Sequence, residues 1–570
     1  MEGAGTEKEA QAAQPARPGA WLDLRLIAIL LVVAAGVRIW VVARTEVPAR
    51  DSIGYIRYAW RLQHEQWAKV MRESERHPGY PISIYLASIP IRHFFSAPDA
   101  LEMQLSAQIA SSVAGVLLVL PMYFLGRALF DRTVGFWSAL LFQCLPESGL
   151  VLSDGLSESV FLLFAVSGLL MAVHALQHGS LWRFAWCGLF GGLAFLTRPE
   201  GGLIVAITGL VLLAMQLSRA WRRPWRRVLL CGGSLMFAAV LTTSPFFLTI
   251  RRPTTQPSSL RVIEDLFQTI RGAVLRQRAE VPRLGESDHS TCLAGISSPR
   301  PMLACTFAVW WHNPDDPPSK RVGWGMRALL QETIKGFHYV TWLPALLGLC
   351  WFRDRLRVVP GAWVILILCA LIALALWRVA VVVGYMSDRH TLLIVCCGTF
   401  WGVAGTQVIG RRLAELCHRF AAGQVTRWLA GNSHYWSTGL FLVLIASGLP
   451  RTLAPLHADR AGHRTAGLWL AEHAGPSDIV DDPFCWAHFY AGKVFLEGLS
   501  LPPFTIRYIV LEKSKNPHSR LPSIPELREL AKRRGTLVYH CPLHRAGSKE
   551  EIEVFAVPNS AGTSSSPSRQ

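Results

Sequence analysis

The stretch RDSIGYIRYA, at residues 50–59, combines residue types that could perform proton transfer. If a helix begins here, Asp51, Tyr55 and Tyr58 fall on one of its faces, at spacings of four and seven residues. A carboxylate among phenol and guanidinium groups can take a proton from an attacking hydroxyl group. The competing interpretation is that Asp51 caps the N-terminus of an amphipathic surface helix, a position that favours aspartate.

A second acidic group lies in LSDGLSES, at 152–159, where a long apolar segment begins. Asp154 and Glu158 are four residues apart and would share one face of a helix. Capping accounts for Asp154, since negative charge is favourable at a helix N-terminus, but not for Glu158 one turn further in. The two acids could orient a sugar. Together with Asp51 they could also hold Mg²⁺ or Mn²⁺, although the pattern requires no cofactor.

A basic residue interrupts apolar sequence in FLTRPEGG, at 195–202. Arg198 and Glu200 fall where Pro199 and the following glycines predict a tight turn between two membrane segments. One interpretation is a charged hairpin, and the other is a phosphate ligand, because guanidinium groups bind phosphate bidentately.

A further basic cluster lies in GYMSDRH, at 384–390, where Tyr385, Arg389 and His390 share one short connection. Arg389 and His390 could hold a leaving phosphate group, whose developing negative charge such residues stabilise. The alternative is that Arg389 simply pairs with Asp388.

The elements that carry these residues are membrane helices. The chain has 570 residues, of which 51% are hydrophobic and 17% charged, with a mean hydropathy of +0.29. Backbone polar groups in lipid must be satisfied within each segment, so we predict a polytopic α-helical membrane protein of about 11–13 membrane segments. The predicted apolar segments are 24–43, 104–126, 133–150, 156–176, 184–197, 201–217, 228–250, 337–352, 360–383, 390–408 and 436–450.

Positive charge is distributed in a way that predicts topology. The net charge is +18, but arginines cluster between apolar segments, as is typical of cytoplasmic loops, and we therefore exclude nucleic acid as a partner. This orientation puts the four polar groups on the opposite side of the membrane if the segment 81–95 is a re-entrant or interfacial helix. The arginine clusters lie at 126–132, 218–227, 351–357 and 410–419.

The predicted domain organisation has four parts. A disordered N-terminal tail spans 1–23, and a membrane domain spans 24–452 with an outer loop at 45–80 and a polar loop at 251–336. Alternating helix and strand patterns predict a small extramembrane α/β domain, the C-terminal domain, at 453–556. The polar residues 557–570 form a disordered tail.

Twelve cysteines are present, and four lie in the polar regions. Cys292 and Cys305 in the polar loop, and Cys485 and Cys541 in the C-terminal domain, could form two local disulfides in an oxidising compartment. Four unrelated buried thiols are an equally good interpretation. No cysteine and histidine spacing suggests structural zinc.

These motifs, in this order, resemble the GT-C superfamily of integral-membrane glycosyltransferases. The resemblance is to the bacterial branch related to protein O-mannosyltransferases and the aminoarabinose transferase of lipid A. It extends from about residue 24 to 410, and the C-terminal domain resembles that of some members. The motifs that carry it are RDSIGYIRYA, RHPGYP (76–81), LSDGLSESVFLLF (152–164), GLAFLTRPEG (192–201) and YMSDRH (385–390).

The resemblance implies transfer of a sugar from a polyprenyl-phosphate carrier to a hydroxyl or amine of a protein, lipid or glycan. It implies a bacterial plasma (inner) membrane location, with the active site and the C-terminal domain on the periplasmic side. Asp51 matches the general base. Contacts to the donor phosphate fall to Arg198, Lys335, Arg389 and His390. The residues expected to bind substrate are Tyr55, Tyr58, His77, Tyr80, Asp154, Glu158, Glu200 and Tyr385.

Two residues depart from the family pattern. Asp51 is followed by Ser52 where the mannosyltransferases have an Asp-Glu pair, and Arg198 stands where the aminoarabinose transferase has lysine. The first leaves the acceptor open, and the second changes one phosphate ligand for another. The absence of a nucleotide-sugar fingerprint or a Gly-rich phosphate loop fits a donor delivered within the bilayer.

Two other classes of function could use a polar cavity or a C-terminal domain of this kind. A multi-span transporter or lipid flippase would use the polar cavity to pass a substrate, and it predicts inverted repeats, which the two halves of the sequence do not display. A receptor or scaffold would use the C-terminal domain and need the membrane region only as an anchor. About twelve membrane segments are far more than an anchor needs.

Overall fold

The computed structural model describes residues 18–95, 97–251, 318–420, 433–513, 523–544 and 550–559. Most of them are helical. Most of the polar loop and most of both predicted disordered tails lie outside the described residues. The possible disulfide between Cys292 and Cys305 also lies outside them.

Within this part of the chain, seven helical segments are long and apolar enough to cross a membrane. Two shorter apolar helices, Leu181–Thr197 and Trp342–Trp351, match predicted segments. The predicted class, a polytopic helical membrane protein, is confirmed. The seven segments are Gly19–Ala43, Asp99–Leu129, Glu158–His178, Pro199–Leu217, Trp225–Ile250, Gly361–Val383 and Asp388–Arg419.

Other helices are shorter or more polar. The segment predicted as one span at 133–150 is divided into Arg132–Cys144 and Pro146–Val151, because Pro146 cannot continue the first helix. Residues 81–94 of the segment predicted at 81–95 lie in the 16-residue helix Gly79–Phe94, which is about 24 Å long at 1.5 Å per residue and thus shorter than a hydrocarbon core. The remaining helices of the membrane domain are Arg50–His64, Trp67–Glu73, Pro318–Gly336, Arg355–Val358 and Ser433–Thr452.

Close helix packing depends on small residues, as in other membrane bundles. A Cβ atom added at Gly126 would lie 2.7 Å from the Cα atom of Gly135 on the next helix. The first helix is also fixed by polar contacts, because the buried Arg38 donates to Gln143 Oε1 at 3.1 Å and to Ser153 Oγ at 2.9 Å. The bundle therefore holds the 143–153 connection rigidly, next to the acidic segment that follows it.

The C-terminal domain contains a mixed four-stranded sheet in the order β1-β2-β4-β3. Strand β1 runs parallel to β2, and β4 is antiparallel to both β2 and β3. Side chains of β2 alternate, so Tyr508 and Val510 pack with the helix Ala461–His473 while Ile509 and Leu511 pack with Ser523–Arg534. The strands are β1 (Ile479–Asp481), β2 (Ile506–Lys513), β3 (Thr536–Pro542) and β4 (Glu551–Pro558), and two short helices are Trp486–Tyr490 and Lys493–Leu496.

The C-terminal domain packs against the helix Arg50–His64. Trp486 donates from Nε1 to the carbonyl oxygen of Pro48 at 2.9 Å, and Arg57 pairs with Glu497 at 2.6 Å. Apolar side chains of both partners, including Ile53 and Phe489, form one buried cluster.

The possible disulfide between Cys485 and Cys541 does not form, and both residues are free thiols. The Cys485 sulfur lies 3.6 Å from Arg50 Nη2, whereas Cys541 donates to the carbonyl oxygen of Gly462 at 3.4 Å. The interpretation as unrelated thiols is correct for this pair.

Candidate active site

All four polar segments singled out in the sequence meet at one cavity of about 140 Å³. They come from separate helices and turns, which the bundle brings together near the ends of candidate membrane helices. The lining residues are Asp51, Tyr55, Arg76, His77, Leu156, Ser157, Glu158, Thr197, Arg198, Pro199, Glu200, Arg389 and His390.

Asp51 lies in the first turn of the helix Arg50–His64 but does not cap it. The N-cap residue is Ala49, which makes no side-chain capping bond. The Asp51 carboxylate forms an ion pair with Arg389, and its carbonyl oxygen accepts a bond of 3.1 Å from Arg76 Nη1. The competing interpretation of Asp51 as a helix cap is therefore wrong.

Opposing effects set the protonation state of Asp51. Burial raises the pKa of the carboxyl group, but the positive charges of Arg389 and Arg76 lower it more, so the pKa lies below its ordinary value. Asp51 is therefore ionised at neutral pH. While the Asp51 carboxylate is paired with Arg389, however, its affinity for a proton is low.

The two tyrosines predicted to share the face of Asp51 have different surroundings. Tyr55 lines the cavity, and the Cζ atom of Arg76 lies 4.2 Å from the centre of the tyrosine ring. The Tyr55 hydroxyl lies 3.3 Å from Ser157 Oγ. Tyr58 instead packs with Leu62 and Val70, so its predicted place in the cavity is wrong. It lies about 10 Å along the helix axis from Asp51, and the helix leads away from the cavity.

Tyr80 lies behind the cavity wall and does not line it. The residue is fully buried, and its hydroxyl donates to the carbonyl oxygen of Ala107 at 3.0 Å and lies 2.9 Å from Ser111 Oγ. Its ring meets the edge of Tyr55 at 5.1 Å. Tyr80 therefore supports Tyr55 instead of reaching a ligand in the cavity.

His77 lines the cavity from the loop before the helix Gly79–Phe94. It is only 3% exposed, and its ring lies between Phe195 at 5.1 Å and Phe246 at 5.5 Å. Burial lowers the pKa of His77, so the imidazole is neutral at neutral pH. A neutral imidazole can donate one hydrogen bond and accept another.

Arg198 pairs with two acidic residues that also line the cavity. Its guanidinium lies 2.8 Å from Glu158 Oε1 and 3.4 Å from Glu200 Oε1. Arg198 itself is extended, between the helix Leu181–Thr197 and the short 3₁₀ turn Pro199–Gly201. The pairing with Glu200 fits a charged hairpin, but the contact with Glu158 also connects the hairpin to the helix Glu158–His178.

Asp154 does not lie on one helical face with Glu158, because the helix begins only at Glu158. Asp154 lies in the preceding turn, and its carboxylate accepts a bond of 2.9 Å from the Ala49 N–H group and lies 2.8 Å from His457 Nε2. It therefore does not join Asp51 and Glu158 in a metal site. The described residues contain no group of three metal-ligating side chains placed to hold an ion.

The connection after residue 384 positions Arg389 through its neighbour. Asp388 begins a 3₁₀ turn, and its Oδ1 accepts a bond of 2.7 Å from the Arg389 N–H group. Its Oδ2 is 2.5 Å from Lys335 Nζ. Asp388 thus pairs with Lys335 and leaves the Arg389 side chain free to reach Asp51, so the alternative of an Asp388–Arg389 side-chain pair is wrong.

Two residues predicted to bind substrate or phosphate lie next to the cavity and not in its lining. Lys335 is held by Asp388, and its predicted contact with donor phosphate has no support in this geometry. Tyr385 meets His390 edge to face at 5.5 Å, and burial raises the pKa of its hydroxyl, which remains protonated.

A second, apolar cavity of about 120 Å³ continues from the first. It extends between the helices Glu158–His178, Gly361–Val383 and Leu392–Phe420. Five residues line both cavities: Glu158, Arg198, Glu200, Arg389 and His390. The other lining residues are apolar: Phe161, Leu162, Leu203, Ile372, Ala375, Leu376, Val379, Leu392 and Leu393.

Sequence reasoning missed several lining residues. Arg76 was detectable, since it belongs to the RHPGYP motif and is the cation next to His77. Ser157 and Thr197 flank predicted residues but carry no distinctive signal. The apolar cavity was hidden as well, because its residues read as ordinary membrane-helix side chains.

Residues 100–245 match a protein family described as dolichyl-phosphate-mannose-protein mannosyltransferase. The fold is similar to that of ArnT from Cupriavidus metallidurans bound to undecaprenyl phosphate, with a TM-score of 0.55 and 14% identity over 95% of this chain and 98% of that one. For the same protein in the apo state, the TM-score is 0.52 and the identity 13%, over 94% and 98% of the chains. No curated protein matches the sequence significantly.

The family match covers about a quarter of the chain, whereas the similarity in fold covers nearly all of it. Both findings agree with the resemblance to the GT-C superfamily that the order of the motifs indicated.

Proposed function

We propose that this protein transfers a sugar from a polyprenyl-phosphate carrier to a hydroxyl or amine acceptor, with Asp51 as the general base. The proposal rests on the junction of two cavities at polar residues that line both of them. Arg198, Arg389 and His390 line both the polar cavity and the apolar one. A substrate that fits both has a polar sugar phosphate and a long hydrocarbon tail.

The apolar cavity favours a lipid-linked donor over a soluble one. Its apolar lining can remove a hydrocarbon chain from water. This burial stabilises the bound donor by about 0.8 kcal/mol for each buried methylene group. The ArnT structure contains undecaprenyl phosphate, a molecule of this class. The tail would therefore lie among Leu376, Leu392 and their neighbours, with the phosphate at the arginines.

The charged residues divide into two roles in this proposal. Arg389 and Arg198 bind the phosphate and stabilise the negative charge that develops on it as the sugar leaves. Glu158 and Glu200 hold Arg198 in place and can accept hydrogen bonds from sugar hydroxyl groups. Neutral His77, which lines the same cavity, can donate a further hydrogen bond to the phosphate.

The proposed reaction is an inverting displacement. The acceptor O–H or N–H gives its proton to the Asp51 carboxylate as the acceptor atom bonds to the anomeric carbon. The bond between that carbon and the phosphate oxygen breaks, and polyprenyl phosphate leaves with the electron pair. Because Arg389 is paired with Asp51, we expect the donor phosphate to draw the guanidinium away and so restore the basicity of the carboxylate.

Reconstitution into vesicles tests the proposal. Vesicles receive radiolabelled polyprenyl-phosphate-linked hexoses and pentoses in turn, with bacterial membranes as the source of acceptors. We expect at least one donor to release polyprenyl phosphate and pass its sugar to an acceptor, whereas the corresponding soluble sugar phosphates are inactive. Movement of the intact donor across the vesicle membrane without release would contradict transfer and favour a flippase.

A further inference from the structure

The feature outside the cavity that bears most on Asp51 is the buried carboxylate of Asp154. The residue is only 5% exposed, and both its oxygens are engaged. Oδ1 accepts a bond of 2.9 Å from the Ala49 N–H group, and Oδ2 lies 2.8 Å from Nε2 of His457. Asp154 thus links the start of one helix to a residue about 300 positions later in the chain.

The contacts of Asp154 lie on both sides of Asp51. Ala49 is the N-cap residue of the helix that carries Asp51, so its N–H group has no partner within that helix. On the other side, Ser52 donates from Oγ to the carbonyl oxygen of Asp154 at 2.9 Å. Asp154 therefore fixes the backbone on both sides of Asp51, through Ala49 two residues before it and Ser52 one residue after it.

His457 comes from the beginning of the C-terminal domain. Its backbone is left-handed, with φ 51° and ψ 34°, and it leads into the 3₁₀ turn Ala458–Arg460 and the helix Ala461–His473. A non-glycine residue rarely adopts this conformation unless its surroundings fix it. Here the conformation accompanies the contact between His457 and Asp154.

Other bonds from the C-terminal domain reach the same short segment. Pro48 accepts from Trp486, and Arg50 donates from Nη2 to the carbonyl oxygen of Pro483 at 3.0 Å. The hydroxyl of Tyr490 donates to the carbonyl oxygen of Glu46 at 3.3 Å. The C-terminal domain therefore contacts the chain at several points within five residues of Asp51.

We propose that Asp154 and His457 are positioning residues through which the C-terminal domain holds Asp51 at the cavity. Their effect on catalysis rests on the proposed function, but their effect on the geometry does not. The C-terminal domain then helps to set the geometry of the active site, whatever acceptor the enzyme uses. Asp154 touches neither donor nor acceptor in this account.

Two substitutions at Asp154 separate positioning from direct chemistry. In Asp154→Asn, the amide oxygen still accepts from Ala49 and the amide nitrogen donates to a neutral His457, so both links survive. In Asp154→Ala, both links are lost. If the Asp154 charge acted directly on a metal ion or substrate, asparagine would be as damaging as alanine.

Hydrogen exchange measures the positioning without any substrate. We expect Asp154→Ala and His457→Ala to speed amide exchange in the segment 46–56 about five- to tenfold, the effect of losing one or two hydrogen bonds. Asp154→Asn should remain near wild type. The matched control is Asp478→Ala, which removes a carboxylate of similar burial that bonds only within the C-terminal domain.

Kinetics provide the second readout. We expect Asp154→Ala to lower kcat at least tenfold while the KM for donor stays within about twofold, and Asp154→Asn to restore most of kcat. Unchanged exchange in 46–56 for Asp154→Ala would overturn the proposal, and so would equal loss of kcat in both variants. Because exchange needs no donor, it decides the positioning even if the proposed transferase activity fails.

Discussion

The carboxylate of Asp51 and the guanidinium of Arg389, which lie 338 residues apart in the sequence, form an ion pair in the cavity. One of the two is the proposed base and the other is the proposed phosphate ligand. The ion pair therefore weakens both proposed roles, because a paired carboxylate is a weaker base and a paired guanidinium is less available to phosphate. A donor phosphate that competes for Arg389 would free both groups at once.

Replacing Arg389 should alter both binding and pH dependence. In Arg389→Gln, we expect the KM for donor to rise about 10- to 100-fold, the effect of losing a hydrogen bond to a charged group. Burial then raises the pKa of Asp51 without its main opposing charge. The acid limb of kcat/KM, which reports the free enzyme, should therefore move to higher pH by about one unit or more.

The sign of this shift follows from the depressed pKa of Asp51. In the wild type the carboxylate stays ionised until the pH falls through that lowered value, so activity should persist below the usual carboxyl range. Arg92→Gln is a matched control, because Arg92 pairs with Glu102 at 3.3 Å, away from the cavity. An acid limb at the same pH in all three proteins would contradict the coupling.

Filling the apolar cavity should impair only lipid-linked donors. Ala375 lines this cavity, and Ala375→Phe would occupy space that the proposal assigns to the polyprenyl chain. We expect the KM for a long-chain donor to rise at least tenfold, and less for a donor with a shortened tail. Leu374→Phe is the control, since Leu374 is exposed on the same helix and lines neither cavity. Equal effects of the two substitutions would argue against the assignment.

Lys335 should act on Arg389 only through Asp388. In Lys335→Met, the half-buried Asp388 carboxylate loses its cation, and we expect a loss of about 1–3 kcal/mol in the free energy of unfolding with a fall in kcat/KM. Adding Asp388→Asn should recover much of that stability, because asparagine carries no charge and can still accept from the Arg389 N–H group.

The test is thermal unfolding in detergent for both single variants and the double variant. Strictly additive losses would contradict a Lys335–Asp388 pair. If Lys335 bound the donor phosphate directly instead, Lys335→Met would raise the KM for donor without an effect on stability.

Much of the fold was predictable because its signals are local. Apolar runs indicated the membrane helices, and period-two and helical patterns indicated the strands and helices of the C-terminal domain. The four charged stretches also led to one cavity, since ionisable residues at a membrane edge need a polar environment. One error also had a local cause. Hydropathy alone indicates one continuous segment at 133–150, but the helix is interrupted at Leu145–Pro146.

The details of the site depended on contacts that no short-range pattern encodes. Asp154 was expected on a helix with Glu158, but the turn that ends at Ser157 directs it to Ala49 and His457. Lys335 was expected at the phosphate, yet it meets Asp388. Tertiary packing brings these partners together from distant parts of the sequence, and helical spacing does not predict such contacts.

A single-turnover comparison of wild type with Asp51→Asn tests the role of Asp51 as the base. Asparagine keeps the size of the side chain but cannot accept the acceptor proton. With a radiolabelled polyprenyl-phosphate sugar that the wild type uses, we expect donor binding to persist while release of polyprenyl phosphate slows about 10²- to 10⁴-fold. Asp354→Asn, at an exposed basic loop, is the control and should match the wild type. Equal release rates for Asp51→Asn and wild type would contradict the role of Asp51 as the base.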